Sequence, residues 1–203
     1  MDQIFGKAVE VKTVRELTQY PGKDADYTDW SIGFLLDYIE GRHHGYVRDS
    51  LGPLKEYIDN LVKKYRVSYP RLSRLSDLFF RLSEKLSANM TKEEQVLFPF
   101  IKNLIAGTDS GKQLKLLPFL TLERPFQLMR VEHEQVIGLM NGVWSGIEAQ
   151  HSELGSSGTW KVCYDSLKDF RKNLEVHFHL ENNVLFPKAR EMERVQHRLE
   201  AIS

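Results

Sequence analysis

Cysteine is almost missing from this chain of 203 residues, because Cys163 is the only one. A single cysteine excludes an internal disulfide and any metal cage that needs several thiolates. The chain also has no net charge, since 28 Lys and Arg residues balance 28 Asp and Glu residues. We therefore find no basic excess that would indicate a nucleic acid or an anionic membrane as a partner.

Long hydrophobic runs are missing as well. The longest, such as residues 32–36, fall far short of the roughly 20 apolar residues that a membrane-spanning helix needs. The amino terminus, MDQIFGKAVEVK, lacks the apolar centre of a signal peptide. We expect a cytoplasmic protein with a single domain large enough to bury a sizeable core, and with neither a membrane nor a nucleic acid as partner.

One stretch of the chain occurs twice. Residues 89–99 read NMTKEEQVLFP and residues 177–187 read HFHLENNVLFP, at a constant offset (177 − 89 = 88 and 187 − 99 = 88). In each copy a glutamate follows the first residue by four positions, so the two side chains share one helical face. A His and a Glu one turn apart, on two related helices, suit a metal site inside a helix bundle. The first copy has asparagine where the repeat predicts histidine.

Hydrophobic periodicity predicts four long helices, and breakers rich in Gly, Pro and Ser separate them. The helices should cover about residues 28–65, 71–105, 122–150 and 159–199. We expect an all-α, antiparallel up-down four-helix bundle, built as a duplicated helical hairpin over residues 26–203, after an amino-terminal extension at residues 1–25. Val96 and Val184 belong to the predicted inward faces, and Pro99 and Pro187 should kink or loosen their helices.

The polar residues of the inward faces should meet at one height. In an antiparallel hairpin with a short turn, two residues lie level when their midpoint falls at the turn. The midpoints of His44 with Asn89, of Glu93 with His133, and of His133 with His177 are 66.5, 113 and 155. Each midpoint falls on or beside a breaker. We therefore expect six inward polar side chains to lie level: His44, Asn89, Glu93, His133, His177 and Glu181.

Each of these residues also has an ordinary structural explanation. A single histidine on an apolar face is usually a hydrogen-bonded core residue, and the whole set could form an ion-paired polar layer without a metal. Buried carboxylates are unfavourable unless they are paired or bind a metal, which favours a metal site. Cys163 should be a core thiol, because it precedes His177 by roughly 21 Å of helix. The remaining histidines should face solvent or lie behind the inward layer: His43, His151, His179 and His197.

Four segments carry a family resemblance. They read HHGYVRDSLGPL (43–54), TKEEQVLFP (91–99), MRVEHEQV (129–136) and HFHLENNVLFP (177–187), in this order and with matching spacing over about residues 26–190. They resemble hemerythrin-like, HHE cation-binding domains, and most of all the di-iron iron–sulfur cluster repair proteins. The resemblance implies a four-helix bundle around a carboxylate-bridged di-iron centre. It implies metal-binding roles for His44, Glu93, His133, His177 and Glu181, with the two glutamates as the bridging carboxylates.

The chain departs from this family pattern at two places. The family's histidine on the second helix falls on Asn89, whose amide oxygen is a weaker donor to iron than imidazole. We expect His133 and His177 to serve one metal position with the two carboxylates. The other position would have His44 and either Asn89 or water, and a lower affinity. The repair proteins often begin with a small Cys-Cys domain, and no cysteine precedes Cys163 here, which puts any role of such thiols in question.

The leading hypothesis is a stress protein that binds or donates iron in response to nitrosative or oxidative damage to iron–sulfur clusters, rather than a turnover enzyme. The expected cofactor is iron, either as a di-iron centre or as one well-occupied and one weak position, and no catalytic residue is predicted. Iron–sulfur proteins would be its partners. Two alternatives stay open: a module that binds or senses oxygen or nitric oxide, and a bundle without metal that serves as a structural or interaction protein. The sequence predicts no oligomeric state.

Overall fold

The computed structural model describes residue 27 and residues 29–110, 121–155 and 157–202. The predicted amino-terminal extension at residues 1–25 lies outside them. Over the described ranges the chain is helical and contains no β-strand. The prediction of an all-α protein is therefore confirmed. No helix in these ranges combines the length and the apolar character needed to cross a membrane.

Four long helices form the described part of the chain, and a π-helical turn interrupts three of them. Helix α1 comprises Ile32–Tyr38, a π turn at Ile39–His44, and Gly45–Tyr65; α2 comprises Ser73–Lys92, a π turn at Glu93–Leu97, and Phe98–Ser110; α3 is Glu123–Glu148; α4 comprises Gly158–His179, a π turn at Leu180–Leu185, and Phe186–Ile202. A 3-10 turn at Pro70–Leu72 precedes α2, and one helical turn at His151–Leu154 precedes α4. Helix α1 packs against α2 and α4, and α2 packs along α3.

Two hydrophobic clusters fill the bundle, one towards each end. Phe79, Trp160 and Phe170 are among the buried residues of the first cluster, and Phe98 and Phe126 are among those of the second. On each helix the inward face contributes residues to both clusters, and the predicted polar residues lie between the two clusters. The polar layer is thus enclosed by apolar side chains above and below, which keeps water away from it.

The π turns correct the predicted inward faces. Val96 was expected to face inward, but it is 51% exposed, and its neighbour Leu97 is buried instead. On α4, Val184 is half-buried and Leu185 is fully buried. The reason is the extra residue that an i→i+5 turn adds to each helix, which moves the inward face one position along the chain.

Pro99 and Pro187 account for the position of two of these π turns. Each proline is the second residue of the α-helical segment that follows a π turn. Proline has no N–H to donate to the preceding turn, and its ring clashes with the carbonyl four residues earlier. A widened turn relieves that clash, so the predicted loosening at these prolines is found.

Glu193 ties α4 to the start of α3. Its side chain is buried, and its Oε1 accepts a hydrogen bond of 2.8 Å from the backbone N–H of Leu122, which directly precedes α3. The first N–H groups of a helix lack partners within the helix, so this carboxylate stabilises the start of α3. The contact holds together the two helices that carry His133 and His177.

Candidate metal centre

The structure brings the predicted polar side chains together in one buried layer. We call it the His/Glu layer, and it contains His44, Asn89, Glu93, His133, His177 and Glu181. None of the six is more than 1% exposed. His44, Glu93, His177 and Glu181 each place one potential ligand atom so that all four atoms lie within 4.8 Å of one another. Groups of this kind, from different helices of a bundle, can hold a metal ion.

One side of the layer joins α1 to α4. His44 Nε2 lies 3.1 Å from His177 Nε2 and 3.3 Å from Glu93 Oε2. His177 Nε2 in turn lies 3.2 Å from Glu181 Oε1. Two imidazole nitrogens and one oxygen from each glutamate therefore converge here. We call this place the 44/177 position.

The other side of the layer joins α2 to α3. His133 Nε2 lies 3.2 Å from Glu93 Oε1 and 3.3 Å from Glu181 Oε2. The Asn89 amide donates a hydrogen bond to the same Glu93 Oε1. We call this place the 133 position. Each glutamate turns one oxygen to each position, which is the arrangement that two bridging carboxylates require.

This geometry corrects the predicted pairing of the histidines. We expected His133 and His177 to serve one position, yet the atom next to His177 Nε2 belongs to His44. Asn89 accordingly belongs with His133 rather than with His44. The reason is the packing of the helices. Helix α1 lies beside α4 and α2 lies beside α3, so each position takes its residues from both hairpins.

The donor set fits a cation. Within the layer, Asn89 Oδ1, Glu93 Oε2 and Glu181 Oε2 are buried oxygens without a hydrogen-bond partner. Buried acceptors without partners are unfavourable, and two buried carboxylates also repel each other. A cation between them would satisfy the free oxygens and balance the charge. Imidazole nitrogens with carboxylate oxygens are donors that non-haem iron accepts.

The directions of the pKa shifts within the layer show how protons balance its charge. Burial alone would lower the pKa of His44, but hydrogen bonds and charge from Glu181 and Glu93 outweigh burial and raise this pKa to about 10. The pKa of His133 is raised as well, because Glu93 and Glu181 again outweigh burial. Burial would raise the pKa of Glu181, but charge and hydrogen bonds from the histidines, His177 first, lower it. The ion-paired polar layer considered from the sequence is thus the protonated form of the same site.

Two residues behind the layer hold the histidine rings in place. Glu94 Oε1 lies 2.6 Å from His44 Nδ1, and the same oxygen also accepts a hydrogen bond from Arg48. Asn182 Oδ1 lies 3.1 Å from His133 Nδ1. Since a carboxylate and an amide oxygen can only accept, Nδ1 carries the proton in both histidines, and a neutral ring then turns its Nε2 lone pair to the centre. We did not anticipate Glu94 or Asn182 from the sequence, although both stand one residue after the repeated glutamate.

Of the four histidines expected outside the layer, His43 is the informative one. It is fully buried, and its ring stacks on that of His177 with the ring centres 5.5 Å apart. Burial, followed by the charge of His177, lowers the pKa of His43 to about 3. His43 therefore lies behind a member of the layer and does not face solvent. The only cysteine, Cys163, is a free and buried thiol, as expected for a core residue.

Phenylalanine rings cover the other histidines of the layer. Phe98 stacks on His44 and Phe178 stacks on His133, with ring centres 5.7 Å and 4.2 Å apart. The rings exclude water and restrict rotation of the imidazoles. A site that is dry and rigid in this way holds its donor atoms in place before any ligand arrives.

Comparison with known proteins gives one family. A model of the "Hemerythrin HHE cation binding domain" matches residues 124–203, which cover α3 from its second residue onward and all of α4. The "Iron-sulfur cluster repair protein YtfE" of Enterobacter sp. (strain 638) is 30% identical over 169 residues, which cover 82% of this chain and 70% of that protein. The protein of the same name from Salmonella schwarzengrund is 29% identical over 165 residues, or 79% of this chain and 69% of that protein. The "Iron-sulfur cluster repair protein ScdA" of Staphylococcus epidermidis is 27% identical over 161 residues, or 78% of this chain and 66% of that protein.

Proposed function

Since this chain belongs to the hemerythrin-like, HHE cation-binding family of iron–sulfur cluster repair proteins, we propose that it binds non-haem iron in the His/Glu layer and supplies iron to damaged iron–sulfur clusters. The observation that carries this proposal is the pair of buried glutamates, Glu93 and Glu181, each of which turns one oxygen to either side of the layer. Among the described residues, no lysine or arginine lies within ion-pair distance of these two carboxylates.

Each position would have its own set of ligands. His44, His177, Glu93 and Glu181 would hold one iron at the 44/177 position. His133, with the second oxygens of the two glutamates, would hold another iron at the 133 position. Bound iron would supply one-electron chemistry and a place for small ligands. The protein supplies fixed imidazoles, two shared carboxylates and a buried enclosure.

The two positions should differ in affinity. The 44/177 position has two imidazoles, while the 133 position has one imidazole and the amide of Asn89. A neutral amide oxygen binds iron less strongly than an imidazole does. We infer that the iron at the 133 position is released first, and that this is the iron which the protein donates.

The setting of this function is part of the proposal. The protein would repair iron–sulfur clusters that nitric oxide or oxidants have damaged, and iron–sulfur proteins would be its partners. A lone buried cysteine fits a reducing compartment such as the cytoplasm, where disulfides are rare. The names of the bacterial relatives support cluster repair as the broad role.

Asn89 also supports a second candidate function. Its Oδ1 is buried and makes no hydrogen bond, and its side chain replaces an imidazole at the 133 position. An iron with one protein donor fewer keeps a place where a small ligand can bind. We propose reversible binding of oxygen or nitric oxide at the 133 position as this second candidate. It differs from iron donation because the protein would keep its iron throughout.

Two measurements test these functions. Protein produced with iron available should contain iron by elemental analysis, and a trace amount in folded protein would support the metal-free structural bundle instead. Iron-loaded protein should then restore the cluster of an iron-depleted iron–sulfur protein, with an equal loss of its own iron. Asn89→His is the matched variant, because a second imidazole should hold the iron at the 133 position and slow its donation. Reversible nitric oxide binding without loss of iron would favour the second candidate.

A further inference from the structure

A continuous row of aromatic rings leads from the protein surface to the His/Glu layer. Phe34 is 51% exposed, and its ring centre lies 4.7 Å from that of Trp30. The Trp30 ring lies 4.9 Å from the Tyr38 ring, and the Tyr38 ring lies 5.5 Å from the His43 ring. The His43 ring stacks on that of His177 at 5.5 Å, with an angle of 13° between the planes.

The helical spacing and the π turn of α1 produce this row. Trp30, Phe34 and Tyr38 recur every four residues, so their side chains follow one side of the chain at the start of α1. The π turn at Ile39–His44 then turns two consecutive residues, His43 and His44, into the core.

We propose that Trp30, Tyr38 and His43 form a relay that carries single electrons between the protein surface and iron bound at His177. This inference rests on the proposed binding of iron. We call these three residues the aromatic relay. Indole and phenol rings are the side chains in this row that give up an electron most readily, and His43 joins them to His177 by two ring contacts.

The rings around the rest of the layer have a different chemistry. The ring contacts of His44 and His133 to residues outside the layer, within the described ranges, are to Phe98, Phe178 and Phe186. A phenyl ring is much harder to oxidise than a phenol or an indole. Among these ring contacts of the described residues, a phenol and an indole lead towards the layer through His43, and that route ends at His177.

Each transfer along the aromatic relay accounts for its electron and its proton. If a peroxide oxidised the bound iron beyond the ferric state and was itself reduced to water, the iron would draw one electron through His177 and His43, and the Tyr38 phenol would lose that electron and release its proton to water at the surface. Trp30 can then return an electron to the Tyr38 ring, which regains a proton. A one-electron donor outside the protein, such as a reduced flavin or a reduced viologen, finally restores Trp30. Two iron oxidation steps would need two such donations.

Two variants with the ring retained test the relay. Tyr38→Phe removes the phenol and Trp30→Phe removes the indole, while each keeps an aromatic ring in the packing. The control is Trp144→Phe. Trp144 follows His133 on α3 by 11 residues, roughly 16 Å of helix, and its ring pairs with that of Tyr164. All proteins are loaded with ferric iron, and their iron content and helical circular dichroism are checked first.

The first readout is the rate at which iron that hydrogen peroxide has oxidised beyond the ferric state returns to its ferric absorption when reduced methyl viologen is added. Because the His/Glu layer is closed to solvent, Tyr38→Phe and Trp30→Phe should slow this rate by a factor on the order of ten, equivalent to a barrier about 1.4 kcal/mol higher. Trp144→Phe should reduce as fast as the unchanged protein. If fully loaded Tyr38→Phe and Trp30→Phe also reduce at the unchanged rate, the relay is wrong and the iron site stands. If the unchanged protein binds no iron, both the relay and the proposed function are wrong.

The second readout does not need the reductant. Treatment of the iron-loaded protein with hydrogen peroxide should leave oxidation products on Trp30 and Tyr38, located by mass spectrometry of peptides. Trp144 should be oxidised less, and protein without iron should lose this preference. Equal oxidation of Trp30 and Trp144, with and without iron, would overturn the relay.

Discussion

Glu94 and Asn182 occupy equivalent places in the two halves of the bundle, and each contacts Nδ1 of a histidine on a neighbouring helix. Their offset is that of the internal repeat, since 182 − 94 = 88. Glu94 lies 2.6 Å from the ring of His44, and Asn182 lies 3.1 Å from the ring of His133. The duplicated hairpin has therefore kept the partner of each histidine while changing its charge. A carboxylate partner makes an imidazole a stronger donor than an amide partner does.

Glu94→Gln should weaken iron at the 44/177 position. The amide still reaches His44 but carries no charge, so the imidazole becomes a poorer donor and the ring is held less firmly. Loss of such a partner typically lowers metal affinity by about 10- to 100-fold. Titration against a competing chelator measures the change. Glu132→Gln is the control, because Glu132 pairs with Lys92 and lies outside the His/Glu layer. Equal affinities of Glu94→Gln and unchanged protein would show that Glu94 does not tune His44.

Asn89→His should strengthen the 133 position. It adds a second imidazole beside His133, as the repeat itself has at His177. Iron content should rise towards two per chain, and the near-ultraviolet charge-transfer absorption of an oxo bridge should grow. Asn89→Ala serves as the control, since it removes the amide without adding a donor. A well-folded Asn89→His protein with the iron content of the unchanged protein would contradict the assignment of Asn89 to this position.

Glu181→Ala and His177→Ala should have different effects. Glu181 offers Oε1 to the 44/177 position and Oε2 to the 133 position, so its loss should weaken both. His177 contributes to the 44/177 position alone, and its loss should spare the 133 position. Both variants should stay helical, because alanine is a good helix former. Iron content and its distribution can be followed by elemental analysis and Mössbauer spectroscopy. Loss of a single iron in Glu181→Ala would exclude a shared bridge.

Removing iron should lower the melting temperature and leave the helices in place. The core of the bundle rests on two large apolar clusters, and each buried Leu or Phe contributes about 1.5–3 kcal/mol. Such a core does not need a metal to fold, whereas the buried Glu93 and Glu181 lose their cation. Helical circular dichroism at ambient temperature should therefore change little. A fully unfolded iron-free protein would show that the metal drives folding.

The iron-free protein should also show a characteristic dependence on pH. The folded-state pKa of His44 is about 10, above the value of about 6.5 for an unfolded histidine. A raised pKa means that the folded state binds the proton more tightly, so this stabilisation is complete below about pH 6.5 and is lost as the pH rises towards 10. Melting temperatures measured across this range would reveal the loss. His44→Ala is the control and should show a flatter profile.

Leu97→Ala and Val96→Ala test the π turn of α2. Leu97 is 6% exposed and belongs to the second hydrophobic cluster, whereas Val96 is 51% exposed. Leu97→Ala should lower the free energy of unfolding by about 2–5 kcal/mol, because it removes buried methyl groups and leaves a cavity. Val96→Ala should change it by less than about 0.5 kcal/mol. Denaturant unfolding measures both. The opposite ranking would mean that α2 continues as a regular α-helix through Glu93.

Much of the site follows from local pattern. Periodicity showed which faces turn inward, except beyond the π turns of α2 and α4, and the midpoints at the breakers placed the six polar residues at one height. On α3 the predicted face was right from Phe126 to Val143, because no π turn interrupts that helix. These features depend on the regular geometry of single helices and on hairpin lengths, and both can be read along the chain.

Other features were decided by the tertiary structure alone. The pairing of His44 with His177 depends on which helices are neighbours, and the sequence contains no direct record of that. Leu97, and not Val96, lies on the inward face of α2, because a π turn widens this helix before Pro99. Burial of His43 against His177 joins residues 134 positions apart (177 − 43 = 134). Local sequence determined which polar side chains face inward and their height, while packing between distant segments decided which of them are neighbours.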